Sequence, residues 1–296
     1  MPEYKVTKTG DRRMVVVSRW LTIFLLVTLW GGCDSSSPSL DVRWNLPERP
    51  SDAQVASSLV DEWAELDLEA REEGAINEIL AGNVPSWYRQ LVPIKASRSG
   101  SQGFVVVTFH VLPDYLAVGS DDDFLYIPLS PQAAQRIADT TGMSLPTPLM
   151  VDLVWQAADN QFEPRPIPPS PAMTTLRVFV QHNQMLTSQR DSLGNGPSGL
   201  RAGHKKDVVV TSRLNGVDGK VAIYGWHQTD GIPIQPVYTG HTDRWVDYSH
   251  GIRLVSRDVL VDGKTMDIRD VLADPDLARL FSSEGVVLKP FYELSQ

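Results

Sequence analysis

The sequence predicts an α+β fold, with helices mainly in the first half of the chain and an antiparallel or mixed sheet mainly in the second half. Apolar residues recur at helical spacing before residue 158, whereas β-rich runs dominate after residue 203. The chain has 296 residues, of which 42% are hydrophobic, enough for a substantial core. We therefore expect a single α+β globular domain over residues 52–296, with a sub-boundary near residues 164–171.

Capping residues and apolar spacing predict the helices. The first helix is expected to begin at Ser51 or Asp52 and to end before Gly82. Further helices are predicted from the Ser130-Pro131 cap to Gly142, from Thr147 to Ala158, and from Met173 to Arg190. Five prolines within residues 164–171 predict a stiff, extended linker between the last two.

Runs rich in β-branched and aromatic residues predict the strands. The predicted strands are Phe104–His110, Asp114–Val118, Phe124–Leu129, Asp207–Thr211, Lys220–Tyr224 and Ile252–Val261. Asp218-Gly219 and Asp262-Gly263 are typical of tight hairpin turns. The acidic stretch Gly119–Asp123 predicts a solvated turn, with a calcium or magnesium loop as the alternative. The glycine-rich stretch 191–199 is a candidate lid.

The first 33 residues carry export signals. Five basic residues precede Trp20–Trp30, an apolar run of 11 residues that has the length of a signal-peptide core. Gly31-Gly32-Cys33 and a polar stretch follow. This order resembles a bacterial lipoprotein signal, which implies removal of residues 1–32, lipidation of Cys33 and a tether over residues 33–51. A plain signal peptide or an uncleaved anchor is the alternative. We therefore expect a membrane-anchored lipoprotein of the cell envelope that faces the periplasm or the exterior.

The formal net charge of −9 argues against nucleic acid as a partner, because phosphate binding needs basic patches. Cys33 is the sole cysteine, so the body has no internal disulfide and no catalytic thiol.

Residues 203–253 hold four of the six histidines and are the best candidate for a functional site. The candidate catalytic residues are His204, Asp207, His227, His250 and Arg253. Histidines with a carboxylate form catalytic zinc sites, so His204, Asp207 and His250 are candidate zinc ligands. The chain has no HExxH motif, which leaves this prediction resting on the residue types alone.

The strings IYGWH and YSHGIRL resemble the L,D-transpeptidase family of cell-wall enzymes. The resemblance implies that His227 matches the family's first histidine and that Ser249 to Arg253 match its second motif. The family's nucleophilic cysteine is missing between Gly251 and Ile252, and acylation cannot run without that thiolate. The rest of the body resembles bacterial secreted proteins without indicating an activity.

Serine chemistry is a further hypothesis, with Ser249 activated by His204 or His227.

Strand alternation places His250 and Arg253 on opposite faces unless Gly251 forms a bulge. Lys205 and Lys206 are expected in a solvated turn, although Lys206 and Arg253 together would suit a carboxylate. The same polar residues also fit a purely structural role, with hydrogen bonds to the backbone.

Two functions follow from these residues. The first is a hydrolase that acts on cell-wall or other envelope polymer through a His/Asp-centred site. The second is a non-catalytic binding or assembly lipoprotein of the envelope. An aromatic groove formed by Trp87, Tyr88, Trp226 and Trp245 would indicate a glycan ligand.

Overall fold

The computed structural model describes residues 4–7, 42–100, 103–193 and 199–294, with the backbone alone described at 4–7, 99 and 100. Cys33 lies outside the described residues, as does most of the candidate lid at 191–199. Within the described residues, no helix is long and apolar enough to cross a membrane.

The described residues form an α+β fold whose helices lie mainly in the first half, as the sequence predicts. The α-helices are α1 (Ala56–Trp63), α2 (Leu68–Leu80), α3 (Pro131–Thr140), α4 (Pro148–Ala157), α5 (Leu176–Ser192) and α6 (Ile268–Ala273). Short 3-10 helices cover Ser86–Arg89, Pro171–Thr174, Ser212–Leu214 and Ala278–Leu280. The strands are β1 (Tyr4–Thr7), β2 (Val92–Gly100), β3 (Gly103–Val111), β4 (Ala117–Gly119), β5 (Phe124–Tyr126), β6 (Met143–Ser144), β7 (Asn160–Gln161), β8 (Arg201–Ala202), β9 (Lys206–Val208), β10 (Ile223–His227), β11 (Pro233–Tyr238), β12 (His250–Gly251), β13 (Val255–Ser256), β14 (Asp258–Val261) and β15 (Lys264–Asp267).

Two larger sheets carry the architecture. The first follows the order β1-β2-β3-β13-β6, with β14 also paired to β3 and β15 paired to β14. The second follows the order β11-β10-β9-β12, in which β9 and β12 are parallel and the other pairs antiparallel. Two-stranded pairs, β4 with β5 and β7 with β8, complete the fold. Because β12 precedes β13 by only a few residues, the two sheets are joined directly at this point.

The core extends over almost the whole described body. Buried apolar residues from Trp44 to Tyr292 form one contiguous cluster. Trp44 lies inside the predicted tether, yet it is 3% exposed and its backbone N–H donates to the carbonyl of Arg89. Packing therefore begins earlier in the chain than the polar composition of residues 33–51 indicates. Strand β1 falls within the predicted signal peptide and pairs with β2, so removal of residues 1–32 would free that edge of β2.

Several predicted elements differ from the observed ones. The first predicted helix is two helices, because the Asp67 carboxylate accepts from the backbone N–H of Ala70 and starts α2. Val55, rather than Ser51 or Asp52, precedes the first turn of α1. Residues Asp114–Val118 do not continue the large sheet, since β4 begins at Ala117 and pairs with β5.

The predicted hairpin at Asp218-Gly219 is wrong. Strands β9 and β10 do pair antiparallel, but a long loop containing a 3-10 helix joins them. Asp262-Gly263 does form the tight turn between β14 and β15, with φ of +48° and +80°. The predicted strand Ile252–Val261 is interrupted, because Ser256 ends β13 and Asp258 starts β14.

The acidic turn Gly119–Asp123 fastens neighbouring elements together. The Asp121 carboxylate accepts from the backbone N–H and the hydroxyl of Ser86, both at 2.6 Å. The Asp123 carboxylate accepts from the backbone N–H and the hydroxyl of Ser57, at 3.1 and 2.6 Å. Two of the three aspartates thus bind residues in the first turn of helical segments, where the helix dipole stabilises a negative charge.

Candidate functional site

The candidate site is built on three adjacent strands, β9, β10 and β12. Lys206 faces Gly225 on one side and His250 on the other, whereas Asp207 faces Tyr224 and Gly251. Because consecutive strand residues point to opposite faces, Lys206 and Asp207 belong to different surfaces of this sheet. We call the face with Asp207, His227 and Arg253 the sealed face, and the face with Lys206, Trp226 and His250 the donor face.

An irregularity in β10 decides which side chain reaches which face. Gly225 and Trp226 both have positive φ, at +105° and +56°, and the pairing with β11 shifts register here. Regular alternation would send Tyr224 and His227 to opposite faces. Instead, both bind the same oxygen of Asp152, at 2.7 Å for the Tyr224 hydroxyl and 2.9 Å for His227 Nε2. Positive φ is strained for a tryptophan, on the order of 1–3 kcal/mol, and such strain clusters at functional sites.

Asp207 is buried on the sealed face with one oxygen unsatisfied. Its Oδ2 accepts from the Tyr115 hydroxyl at 2.6 Å, whereas its Oδ1 has no hydrogen-bond partner. Arg253 Nε lies 3.9 Å from Oδ1. Burial raises the pKa of Asp207 to about 6, although Arg253 and the Tyr115 hydroxyl act in the opposite direction. A buried carboxylate with a raised pKa is typical of a catalytic group, and buried ion pairs produce the same signature.

Arg253 is held from several sides. Its guanidinium donates to the carbonyls of Leu112 and Arg201, at 2.8 and 2.6 Å, and lies 4.3 Å from the centre of the Tyr115 ring. It therefore ties the segment that follows β12 to the residue that follows β3 and to β8. The side chain is 1% exposed, so it is not available at the surface.

The structure brings three of the predicted catalytic residues together. Asp207, His227 and Arg253 line one narrow gap in the packing. Trp155 also lines the gap, and its ring stacks on His227 with centroids 5.6 Å apart and an interplanar angle of 23°. The gap is too narrow to hold a water molecule. A substrate reaches these groups only if side chains that line the gap move.

His204 lies elsewhere in the interior. Its Nε2 is 3.0 Å from Asp114 Oδ1, and its ring packs among Tyr115, Tyr126 and Phe162. Burial of Asp114 favours a raised pKa, but His204 and the nearby arginines outweigh it and lower that pKa to about 2. His204 thus serves as the partner of a buried carboxylate.

The predicted zinc ligands are not assembled as a set. Among residues 42–100, 103–193 and 199–294, no three His, Cys, Asp or Glu side chains lie close enough to hold a metal ion. His204 is engaged by Asp114, and Asp207 is engaged by Tyr115. His250 lies on the donor face, opposite Asp207.

The positions of Ser249 and Gly251 bear on the serine and bulge hypotheses. Ser249 Oγ donates to Asp247 Oδ1 at 2.5 Å, so its proton is not directed at His204 or His227. Gly251 does not have positive φ, and a Cβ there would lie 2.6 Å from both Lys205 Cβ and Tyr115 Cδ1. Gly251 is therefore a site of close packing. His250 and Arg253 lie on opposite faces of the sheet, as the strand alternation predicts.

The lysines also differ from expectation. Lys205 is 1% exposed and donates to the carbonyl of Tyr248 at 2.6 Å, so it is not in a solvated turn. Lys206 is half-buried and lies on the opposite face from Arg253, so the two do not share a carboxylate site.

The four aromatic residues do not form one groove. Tyr88 and Trp226 are buried, at 0% and 4% exposure. Trp87 and Trp245 are partly exposed but line separate surface grooves.

Two carboxylates central to the site were not predicted from the sequence. Asp114 anchors His204 and the Tyr126 hydroxyl, and Asp152 anchors His227 and Tyr224. Each stands alone in an apolar run, HVLPDYLAV and LMVDLVW. Because an aspartate is rarely buried without a partner, an isolated one inside such a run is a usable signal for a polar network.

Comparison with known proteins adds no assignment to this geometry. The resemblance to the L,D-transpeptidases rests on the residues of the motif alone. No protein-family model, no curated protein and no solved structure matches this chain.

Proposed function

We propose that the protein is a lipid-anchored extracytoplasmic protein that binds a component of the cell envelope without catalysing a reaction on it. The observation that carries this proposal is the burial of the predicted catalytic groups. His204, Asp207 and Arg253 are each at most 1% exposed, and the gap beside Asp207 has no space for a water molecule. A hydrolase must admit both its substrate and a water molecule to such groups.

The membrane anchor in this proposal is supported by the order of basic residues, apolar run and Cys33. Acyl chains contribute about 0.8 kcal/mol per buried methylene, so a diacylated cysteine holds the body at a bilayer. Replacing Cys33 with serine should move the protein from the membrane fraction to the soluble fraction. Mass spectrometry of the mature N-terminus should find an acylated Cys33. An intact N-terminus at Met1 would contradict the anchor.

The binding function is tested with purified protein and isolated cell-wall polymer. We expect the protein to sediment with the polymer and to release no soluble fragments. A catalytic rate that is lost in Asp207→Asn, while the variant keeps the wild-type unfolding transition, would overturn the proposal.

A second candidate function is hydrolysis of envelope polymer, favoured by the strained backbone at Trp226. His227 Nε2 is fixed by Asp152 at 2.9 Å, and the unpaired Oδ1 of Asp207 faces the same gap. After displacement of Trp155, His227 or Asp207 would accept the proton of an attacking water, and Arg253 would stabilise the developing oxyanion.

Two measurements test this second candidate. Asp152→Asn should lower turnover on envelope polymer strongly under the hydrolase hypothesis, because His227 loses its orienting carboxylate. It should leave polymer binding unchanged under the binding hypothesis. Metal analysis of the purified protein tests the zinc predicted from the sequence.

A further inference from the structure

We propose that the donor face, formed by Lys206, Trp226 and His250, is a binding site for an anionic group, a carboxylate or a phosphate, on the envelope ligand. This inference deepens the proposed binding function and rests on it. It assigns the ligand's chemistry and the residues that recognise it.

His250 gives the first observation. The side chain is 0% exposed, and neither Nδ1 nor Nε2 has a hydrogen-bond partner. The nearest carboxylate oxygen, Asp247 Oδ2, is 3.9 Å from Nε2, beyond hydrogen-bond distance. Buried polar groups in native proteins are nearly always hydrogen-bonded, so an unpartnered buried imidazole calls for an acceptor or a donor that binds there.

Two further donors lie on the same face. Trp226 is 4% exposed, and its indole Nε1 has no hydrogen-bond partner. Lys206 Nζ lies 5.0 Å from the centre of the Trp226 ring. Lys206 and His250 face each other across the parallel pair β9 and β12, so their side chains leave the sheet side by side. The strained φ of Trp226 is the feature that brings its ring to this face.

Three basic side chains and one carboxylate surround His250. Burial is the largest cause that lowers the pKa of His250, to about 4, whereas Asp247 favours its protonation and Lys206, His241 and Lys205 oppose it. Both oxygens of Asp247 are already engaged, Oδ1 by the backbone N–H and hydroxyl of Ser249 and Oδ2 by Trp245 Nε1 at 3.2 Å. Asp247 therefore makes no hydrogen bond to His250, Lys206 or Trp226, and their donors stay open to an incoming anion.

The chemistry of the donors selects an anion over a cation. An ammonium and an indole N–H donate hydrogen bonds and offer no lone pair to a metal. Hydrogen bonds from a charged donor to a carboxylate or phosphate are about twice as strong as neutral ones. Lys206 is half-buried and His241 is partly exposed, so the face reaches solvent at its edge.

The test follows the indole and imidazole signals of the full-length protein by NMR during titration with inorganic phosphate, and separately with acetate. Trp226→Phe identifies the indole resonance. We expect saturable shifts of Trp226 and His250 signals, whereas chloride at equal ionic strength should cause none. The stronger of the two probes distinguishes a phosphate-bearing from a carboxylate-bearing ligand.

Matched variants decide whether the site is the one described. Lys206→Met should weaken binding of the probe about tenfold or more, because a charged hydrogen bond is lost. Lys220→Met removes an exposed lysine whose Nζ bonds the carbonyl of Gly240, and it should leave binding unchanged. His250→Gln serves as the second variant, and unfolding transitions of all variants establish that each is folded.

The outcomes separate this inference from the proposed function. Absence of shifts with both probes overturns the anion site, as does equal weakening by Lys206→Met and Lys220→Met. If the protein nevertheless sediments with cell-wall polymer, the proposed binding function stands and its contact surface lies elsewhere. If the probes bind but the polymer does not sediment the protein, the anion site stands and the envelope ligand is wrong.

Discussion

The sealed face and the donor face come from the same three strands, yet their buried polar groups differ in how many have a partner. On the sealed face, Asp207 accepts a hydrogen bond from Tyr115 and has Arg253 3.9 Å from its unbonded Oδ1, and His227 is bonded to Asp152. On the donor face, His250 and the indole of Trp226 have no partners, although both are buried. Paired buried charges are typical of a structural network, whereas unpartnered buried donors indicate a binding site. We therefore propose that the sealed face stabilises the fold and that the donor face binds a ligand.

Breaking the sealed face should have the largest effect. Arg253→Met keeps the length of the side chain but leaves Asp207 and the carbonyls of Leu112 and Arg201 without their donor. Removing one partner of a buried charged pair typically costs about 3–5 kcal/mol. We expect a loss of that size in the free energy of unfolding, measured with urea.

Arg136→Met is the matched control for this measurement. Arg136 pairs with Glu73 at the surface, where both side chains are more than 40% exposed, and such pairs contribute about 1 kcal/mol or less. If the two variants lose the same free energy, the network around Arg253 is not what stabilises the sealed face.

The backbone irregularity at Gly225 and Trp226 in β10 should have the next largest effect on stability. Gly225 has a φ of +105°. A Cβ added there would lie 3.3 Å from Val151 Cγ1 and 3.5 Å from Asp207 Oδ2. Left-handed backbone costs an alanine about 1–2 kcal/mol, and crowding adds a similar amount. Gly225→Ala should therefore lower the free energy of unfolding by about 2–4 kcal/mol.

Gly216→Ala isolates the backbone part of that loss. Gly216 also has positive φ, at +74°, but an added Cβ would meet no atom within 4 Å. Its loss should be about 1–2 kcal/mol. Equal losses at the two positions would mean that the space between Val151 and Asp207 accepts a methyl group. Packing would then not be what holds the irregular backbone of β10 in place.

The buried lysine beside the donor face should make stability depend on pH. Burial lowers the pKa of Lys205 to about 7, whereas the unfolded chain keeps a lysine pKa of about 10.4. Between these values the unfolded state binds a proton that the native state lacks, so stability rises with pH. From pH 7 to pH 9 we expect a gain of about 2 kcal/mol in the free energy of unfolding.

Lys205→Met should flatten this rise, because the titrating amine is gone. Urea unfolding of both proteins across the same pH range measures the difference. A wild-type protein whose stability is constant or falls from pH 7 to pH 9 would show that Lys205 keeps its proton in the folded state.

Lys206→Met should have the smallest effect in the absence of ligand. Its ammonium has no hydrogen bond to any residue that the structure describes, and its contact with the Trp226 ring contributes about 0.5–1 kcal/mol. Removal of the half-buried ammonium charge offsets part of that loss, so the midpoint of thermal unfolding should change little. A loss near that of Arg253→Met would contradict the distinction between the two faces.

The fold class and most of the helices could be predicted from the sequence because they depend on local patterns. Ser130 and Thr147 cap α3 and α4 with their hydroxyls, in the positions that the sequence indicates. The boundaries within residues 52–82 and 207–224 were predicted less well. Asp67 starts a second helix inside one apolar pattern, and the loop after β9 takes the place of the hairpin expected at Asp218-Gly219.

The sequence by itself placed the candidate site residues in one segment, 203–253, because their types and their clustering are visible in one dimension. Only the tertiary structure decided which of them meet. His227 joins Asp207 and Arg253 because positive φ at Gly225 and Trp226 breaks the strand alternation, a backbone irregularity that side-chain periodicity does not reveal. Asp114 and Asp152 come from distant parts of the chain to pair with His204 and His227. Which buried polar groups are hydrogen-bonded and which are not is likewise decided by the packed molecule, because desolvation depends on packing.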